Sequence, residues 1–325
     1  MRIKMMRCLF CYQPLSENEM DFHPACSKKI FGHPSPPELP YDEDQVGELA
    51  LQIVQSQITV TGVQAKLSLQ LTIGEKKAEP KRFTIVGLWG GYILKPQSAK
   101  YPEMPEVESL TMHLASIAKI KVVPHSLIRF KSGQLAYITK RIDRIGKQKL
   151  HMEDMCQLTD RLTENKYLAS YEQVAKAIYN YSSTPGLDVV NFFEQVLFSF
   201  LSGNADMHLK NFSLIYGKDL KPTLSPAYDM LATAIVNPDD KEDSALTLNG
   251  KKKKIRYNDF VAAFNTLKLE VKQQENIFSK MEKAKGKWME MIDISFLSDD
   301  FKERYKQLIK ERFSRLSLNK YINLP

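Results

Sequence analysis

The sequence predicts an α+β protein with two lobes, in which a small mixed lobe precedes a larger and mostly helical one. Two observations support this prediction. From about residue 46 to residue 143, short β-type runs alternate with turn residues, and one helical segment interrupts them. After about residue 144, apolar residues recur at helical spacing almost throughout. We therefore place the small lobe at residues 41–143 and the helical lobe at residues 144–325.

The chain is long enough for two hydrophobic cores, since it has 325 residues of which 43% are hydrophobic. Its formal charge of +8 favours association with acidic partners such as nucleotides or nucleic acids. No apolar run approaches 18 residues, and the first ten residues are too short and too soon interrupted for a signal peptide. These features predict a cytoplasmic protein that does not associate with membranes.

Residues 1–40 form a small N-terminal module that ends in the proline-rich linker "HPSPPELP". The module contains Cys8-x-x-Cys11 and His23-x-x-Cys26, two pairs of metal-binding residue types at the spacing of a zinc knuckle. Thiolates and an imidazole favour Zn²⁺ over Mg²⁺ or Ca²⁺, and four protein ligands indicate a structural role. The alternative is a set of reduced thiols beside an unrelated histidine.

One lysine of the small lobe is placed to bind an anion. Lys95 ends the strand-like run in "GGYILKPQS", directly after a Gly-Gly turn. The only helical segment of this lobe, "PEVESLTMHLASIAKI", offers Glu108, or Glu106 as a second choice, as its carboxylate partner. A lysine on a strand paired with a glutamate on a helix is the arrangement that protein kinases use to hold nucleotide phosphates.

A loop that could cover phosphates precedes this strand. The stretch "TVTGVQAKL" lies between two β-type runs, and Gly62 would let the backbone approach a ligand closely. Gln64 and Lys66 supply polar contacts in the same stretch. It matches neither common glycine-rich phosphate motif, so a plain β-turn is the alternative.

The helical lobe contains the strongest chemical signal. The apolar helical run "FFEQVLFSFL" stops at Gly203 and is followed by "GNADMHLKN", which places Asp206, His208 and Asn211 within six residues. Asp229 follows in "LSPAYDML". Such residues also serve as ordinary loop caps, and this remains an open interpretation.

Phosphoryl transfer would use this set. The spacing of five residues from Asp206 to Asn211 equals the aspartate-to-asparagine spacing of the protein-kinase catalytic loop. Asp206 would accept the proton of the acceptor hydroxyl, while Asn211 and Asp229 would hold Mg²⁺ against the nucleotide phosphates. His208 is assigned to the same catalytic loop, which it would orient.

Taken together, these ordered motifs resemble those of the HipA family of serine/threonine kinase toxins, and most closely the short HipT form of the three-component HipBST systems. The resemblance runs from "ITVTGVQAKLSL" through "KRIDR", "EDMCQL" and "GNADMHLKNFSLIY" to "LTLNGKKKKI". It implies a bilobal protein-kinase-like fold that binds ATP and Mg²⁺. It also implies that Asp206 is the catalytic base, that Asn211 and Asp229 bind Mg²⁺, and that Lys95 contacts the ATP phosphates.

The resemblance further implies regulation and partners. Thr59 and Thr61 stand where the family has serines that become autophosphorylated. The implied substrate is an aminoacyl-tRNA synthetase, whose phosphorylation arrests translation. The implied partners are a HipB-like helix-turn-helix antitoxin, through which DNA would be reached indirectly, and a small HipS-like protein.

Two other functions remain open. Small-molecule kinases of the aminoglycoside or choline type also carry an aspartate, a histidine and an asparagine at this spacing, but they lack the "TVTGVQAK" and "LTLNGKKKK" stretches. A non-catalytic zinc-dependent module that binds DNA or proteins would be expected to have a damaged catalytic set, whereas Lys95, Asp206, Asn211 and Asp229 are all intact.

Overall fold

The computed structural model describes most of the chain. The described residues are 6–46, 48, 66–72, 81–86, 90–145, 148–217 and 219–318. The chain divides into two compact units. The first unit comprises residues 1–109, 123–142 and 294–296, and the second comprises residues 110–122, 143–293 and 297–325.

The first unit is built on a five-stranded antiparallel sheet with the strand order β2-β1-β3-β5-β4. Its elements are α1 (Pro24–Phe31), β1 (Leu67–Thr72), β2 (Arg82–Val86), β3 (Tyr92–Lys95), β4 (His125–Arg129) and β5 (Leu135–Lys140). Helix α2 (Met104–Ile117) begins in this unit and ends in the second. Strand β3 is central, and its register pairs Lys95 with Tyr137 of β5.

The N-terminal module packs on this sheet within the first unit. The ring of Phe31, at the end of α1, contacts the rings of Phe83 and Tyr92 with centroid distances of 5.7 and 6.2 Å. Tyr92 donates its hydroxyl to the carbonyl of Ile30 at 3.0 Å. The backbone N–H of Leu127 on β4 donates to the carbonyl of Leu9 at 3.2 Å. Apolar packing and backbone hydrogen bonds therefore both attach the module.

The second unit is mostly helical, with a small antiparallel sheet of order β10-β9-β8 and a β6-β7 hairpin. Its strands are β6 (Arg144–Ile145), β7 (Gln148–Lys149), β8 (Met152–Asp154), β9 (Ser213–Tyr216) and β10 (Pro222–Leu224). Its helices are α3 (Met155–Leu158), α4 (Tyr171–Tyr181), α5 (Pro185–Ser202), α6 (Thr233–Val236), α7 (Tyr257–Thr266), α8 (Val271–Asp293) and α9 (Asp299–Arg315). In addition, Thr163–Asn165 and Leu209–Asn211 form single 3₁₀ turns.

Helix α5 is the core of the second unit. It begins with a proline at its first position and packs against α4, α8 and α9. Every residue from Phe192 to Ser202 is buried, because the helix has neighbours on all sides. Aromatic contacts join it to its neighbours, among them those of Phe198 with Trp288 and of Phe193 with Phe264.

Gly203 ends this helix in the left-handed conformation that favours glycine, with φ of 74°. Its N–H donates to the carbonyl of Phe200 at 3.2 Å, which satisfies one of the carbonyls left without a partner at the helix end. A Cβ atom at this position would lie 2.4 Å from Leu308 Cδ2 and 3.2 Å from Ala234 Cβ. The left-handed conformation therefore favours glycine, and a larger residue would also force Leu308 and Ala234 to shift.

Within the described ranges, no helix is long and apolar enough to cross a membrane.

We expect Gly203→Ala to lower the free energy of unfolding by about 2–4 kcal/mol, since it combines a left-handed alanine with an overpacked contact. Gly250→Ala is the matched control, because Gly250 has φ of 75° but a methyl group added there would meet nothing within 4 Å. Gly250→Ala should lower the free energy of unfolding only by the cost of the left-handed conformation, about 1 kcal/mol. Urea denaturation followed by circular dichroism measures both, and equal losses would contradict the steric argument.

Candidate functional site

The polar loop after α5 is held by its own hydrogen bonds. The Asn211 side-chain Nδ2 donates to the backbone carbonyl of Asp206 at 2.9 Å, and the N–H of His208 donates to the same carbonyl at 2.8 Å. The N–H of Asp206 donates to the side-chain oxygen of Asn204 at 3.1 Å. The backbone of Asp206 is thus fixed by Asn204 and His208, each two residues away, and by Asn211 five residues later.

These bonds determine which atoms remain for chemistry. Because Nδ2 of Asn211 is committed to the Asp206 carbonyl, its oxygen Oδ1 occupies the other arm of the amide and is the atom suited to a metal ion. Asn211 is buried, whereas Asp206 is partly exposed. The loop therefore presents one amide oxygen and one carboxylate from a fixed backbone.

Asp229 reaches the same neighbourhood from the segment after β10. The preceding residue, Tyr228, places its hydroxyl 3.0 Å from the carbonyl of Lys210 and 2.5 Å from Ser213 Oγ. Asp229 itself adopts a left-handed backbone with φ of 58°, which is uncommon for a residue other than glycine. Such backbone strain is often found at functional sites.

His208 lies within electrostatic reach of both carboxylates. Burial lowers the pKa of its imidazole, and the charges of Asp206 and Asp229 act in the opposite direction. The side chain is buried and its ring stands edge-on to Tyr167 at 5.0 Å. The structure thus brings together Asp206, His208 and Asp229 around the loop, and a neutral, packed imidazole suits the orienting role predicted for His208.

Tyr167 is a site residue that sequence reasoning missed. Its hydroxyl donates to Asp206 Oδ1 at 2.7 Å. It lies in "ENKYLAS", which carries no motif, and it stands 39 positions before Asp206 in the chain. No signal in the sequence alone could have identified it, because the contact depends on how the segment folds back.

The lysine and glutamate predicted from the small lobe are in contact in the first unit. Lys95 Nζ lies 2.5 Å from Glu108 Oε1, and the two residues are only 3% and 1% exposed. The ammonium also lies 5.4 Å from the centre of the Tyr137 ring. Glu108 is therefore the partner, rather than Glu106, whose pKa is raised to about 7 by burial.

The residues predicted to cover phosphates before β1 lie largely outside the described ranges. This applies to Thr59, Thr61, Gly62 and Gln64. Lys66 is described, and it is exposed directly before β1. The roles assigned to all five stay predictions.

The four residues of the predicted zinc knuckle come together. The ligand atoms of Cys8, Cys11, His23 and Cys26 all lie within 4.8 Å of one another. His23 Nδ1 is 3.4 Å from Cys11 Sγ and 3.7 Å from Cys26 Sγ. Zinc bonds of about 2.3 Å to sulfur and about 2.0 Å to nitrogen would place tetrahedral ligand atoms roughly 3.5–3.8 Å apart.

The surroundings of the cluster also fit a metal. The other ring nitrogen of His23, Nε2, lies 3.0 Å from the carbonyl of Pro14, which is the usual outer contact of a metal-bound histidine. Three thiols and one imidazole form a donor set that suits Zn²⁺.

Hydrogen bonding connects the knuckle to the helix that carries Glu108. Tyr12 directly follows Cys11 and is fully buried. Its hydroxyl donates to Ser109 Oγ at 2.8 Å, one residue after Glu108 on α2. A change in the knuckle is therefore expected to affect the position of the Glu108 carboxylate.

Comparison with known proteins identifies the family. The profile of the HipA-like C-terminal domain matches residues 58–288. The chain belongs to the HipA-like C-terminal domain family. This confirms the HipA resemblance found in the motifs, while the assignment to the short HipT form stays a prediction.

Three curated relatives are named as candidate kinases. One from Haemophilus influenzae is 29% identical over 246 residues, which cover 70% of this chain and 68% of the relative. Two from Sinorhizobium fredii are 32% and 30% identical over 234 and 191 residues. The matched regions cover 68% and 56% of this chain, but only 55% and 44% of these two relatives. The chain thus spans about half the length of the two Sinorhizobium proteins.

Two solved structures share the fold. One is HipA in the complex of HipA, HipB and operator DNA from Shewanella oneidensis MR-1, with a TM-score of 0.67, 19% identity and coverage of 88% of this chain and 74% of that one. The other is the Helicobacter pylori proinflammatory kinase CtkA, with a TM-score of 0.52, 19% identity and coverage of 69% and 87%. The predicted α+β, kinase-like fold class is confirmed.

We expect Lys95→Met to lower the free energy of unfolding by about 3–5 kcal/mol, because it leaves the Glu108 carboxylate buried without its cation. The double variant Lys95→Met/Glu108→Leu should recover much of this loss, since both charges of the pair are then removed. Urea denaturation of the two variants measures the difference.

Arg82→Met is the control for this experiment. The Arg82–Glu38 pair has an N···O distance of 3.1 Å, but its side chains are 62% and 54% exposed. Loss of this exposed pair should lower the free energy of unfolding by less than about 1 kcal/mol. A Lys95→Met loss as small as that of Arg82→Met would show that the buried pair contributes nothing special.

Proposed function

We propose that this protein is an ATP- and Mg²⁺-dependent serine/threonine protein kinase that acts as the toxin of a toxin–antitoxin system. One observation carries the proposal: Asn211 donates to the carbonyl of Asp206, and Asp229 lies within electrostatic reach of His208 in the same loop. An aspartate and two oxygen donors of the type that Mg²⁺ prefers therefore lie around one loop. The buried Lys95–Glu108 pair and the kinase names of the relatives support the proposal.

Each residue has a definite task in this mechanism. The Asp206 carboxylate accepts the proton of the attacking hydroxyl, and the fixed backbone holds it in place. The donor set of Asn211 Oδ1 and the Asp229 carboxylate consists of hard oxygens, which fits Mg²⁺. The bound ion would neutralise charge on the nucleotide phosphates. Glu108 orients Lys95, whose ammonium binds the phosphates.

The proposal extends to substrate, partners and regulation. The protein substrate is an aminoacyl-tRNA synthetase, and the partners are a HipB-like helix-turn-helix antitoxin and a small HipS-like protein. The solved HipA from Shewanella oneidensis is bound to HipB and operator DNA, which supports an antitoxin partner through which this protein would reach DNA. Thr59 and Thr61 are the autophosphorylation sites, where added negative charge would repel the nucleotide.

The kinase proposal is tested by incubating the protein and its Asp206→Asn variant with γ-labelled ATP, Mg²⁺ and a cell extract. We expect one labelled synthetase with the wild type and a loss of labelling by about 10²–10⁴-fold with the variant, since the general base is removed. Asp219→Asn, at an exposed position in the turn between β9 and β10, is the control and should label normally.

The other outcomes distinguish the alternative functions. Label that appears only on a small molecule would favour an aminoglycoside- or choline-type kinase. Nucleotide binding without any transfer of label would favour a non-catalytic binding module.

We also propose that Cys8, Cys11, His23 and Cys26 hold a structural Zn²⁺. The compact cluster and the outer contact of His23 with Pro14 support this. The bound ion would join two segments of the module, and the Tyr12–Ser109 hydrogen bond would transmit that order to α2.

We expect elemental analysis to find one Zn²⁺ per chain in the wild type and none in Cys8→Ser, together with a lower melting temperature and weaker nucleotide binding in the variant. Cys156→Ser is the control, because Cys156 is also buried but lies outside the cluster. It should keep its zinc. Near-zero zinc in both the wild type and Cys8→Ser would exclude the site.

A further inference from the structure

The hydroxyl of Tyr167 occupies a chemically important position. A general base must lie within hydrogen-bond distance of the proton that it removes. Tyr167 Oη donates to Asp206 Oδ1 at 2.7 Å, so that a hydroxyl of this chain stands where the hydroxyl of an acceptor would have to stand.

The Tyr167 ring lies close to one histidine and two lysines. The ring stands edge-on to His208, with Lys166 Nζ and Lys252 Nζ at 5.0 and 6.0 Å from the ring centre. The carbonyl of the preceding residue, Lys166, accepts from the N–H of Leu209 at 3.1 Å, which ties the two segments together. Tyr167 nevertheless remains 38% exposed. Because more than a third of the residue is open to solvent, an incoming group can reach the ring and displace it.

The phenol is a donor here and a poor nucleophile. Burial, with a further contribution from the hydrogen bond to Asp206, raises its pKa above the usual range of tyrosine. It therefore keeps its proton at neutral pH and donates that proton to the carboxylate without giving it up.

We propose that Tyr167 is a positioning residue that occupies the acceptor site on Asp206 when no substrate is bound, and that the hydroxyl of the protein acceptor displaces it. The proposal rests on the kinase function proposed above. While Tyr167 is in place, it keeps the Asp206 carboxylate in one orientation and excludes water from Oδ1.

The exclusion of water matters because water and the acceptor compete in the same reaction. In transfer, the acceptor oxygen forms a bond to the γ-phosphorus, the bond from that phosphorus to the β,γ-bridging oxygen breaks, ADP leaves, and the proton passes to Asp206. Water at the same position would give inorganic phosphate instead. Tyr167 thus suppresses ATP hydrolysis in the absence of the acceptor, at the expense of weaker acceptor binding.

The test compares Tyr167→Phe with the wild type and with Tyr216→Phe. The phenylalanine keeps the ring and removes only the hydroxyl that contacts Asp206. Tyr216 is the matched control, because its hydroxyl also donates to a carboxylate, Glu153 Oε2, at 2.7 Å. Three quantities are measured: the rate of ATP hydrolysis without acceptor, and kcat and KM for the acceptor protein that the γ-labelled ATP experiment identifies.

We expect Tyr167→Phe to raise acceptor-free hydrolysis by about tenfold and to lower the acceptor KM by about tenfold, with kcat changed less than about twofold, since one hydrogen bond to a carboxylate no longer competes. Tyr216→Phe should leave all three quantities unchanged. A fall in kcat with an unchanged KM would overturn the displacement proposal, because Tyr167 would then act in the transition state.

The outcomes also separate this inference from the kinase proposal. If the wild type transfers label normally while Tyr167→Phe matches it in hydrolysis and KM, only the inference about Tyr167 is wrong. If the wild type neither transfers label nor hydrolyses ATP, the kinase proposal fails and this inference with it. Tyr167→Leu provides a second variant without the hydroxyl, and its hydrolysis rate must rise as well.

Discussion

The position of the polar loop that contains Asp206 and Asn211 depends on the way in which one buried helix ends. Helix α5 is buried on every side from Phe192 to Ser202, and its chain must leave the core without a strained or unsatisfied backbone. Gly203 provides this exit, because it adopts a left-handed conformation at a point where a Cβ atom would be crowded by Leu308 and Ala234. The polar loop begins directly afterwards, so its position is set by the rigidity of the core.

The two units stabilise their buried polar groups in different ways. In the first unit, Lys95 and Glu108 are nearly inaccessible, and each charge is stabilised by the other. In the second unit, Asn211 is buried but bonded to the backbone of Asp206, which itself remains partly exposed. The Lys95–Glu108 pair is therefore fixed and buried, whereas the Asp206 carboxylate is held by its backbone and stays partly open to solvent.

The N-terminal cysteine cluster has a structural connection to the first of these groups. Tyr12 extends from the knuckle to Ser109, the neighbour of Glu108, through a buried hydrogen bond. Tyr92, on the strand that ends in Lys95, donates to the last turn of α1. The module is therefore joined by hydrogen bonds both to the helix that carries Glu108 and to the strand that ends in Lys95.

The sequence alone determined what can be encoded locally. Helical periodicity and a terminal glycine located the end of α5, the spacing of Asp206 and Asn211 indicated phosphoryl transfer, and the paired cysteines indicated a metal cluster. The tertiary structure decided the contacts that depend on the direction of a side chain and on its distance from residues elsewhere in the chain. Glu106 and Glu108 differ by about 200° around a helix, so only one of them can face Lys95. The hydrogen bond from Tyr167 to Asp206 joins residues that are distant in the chain, and no local pattern records such a contact.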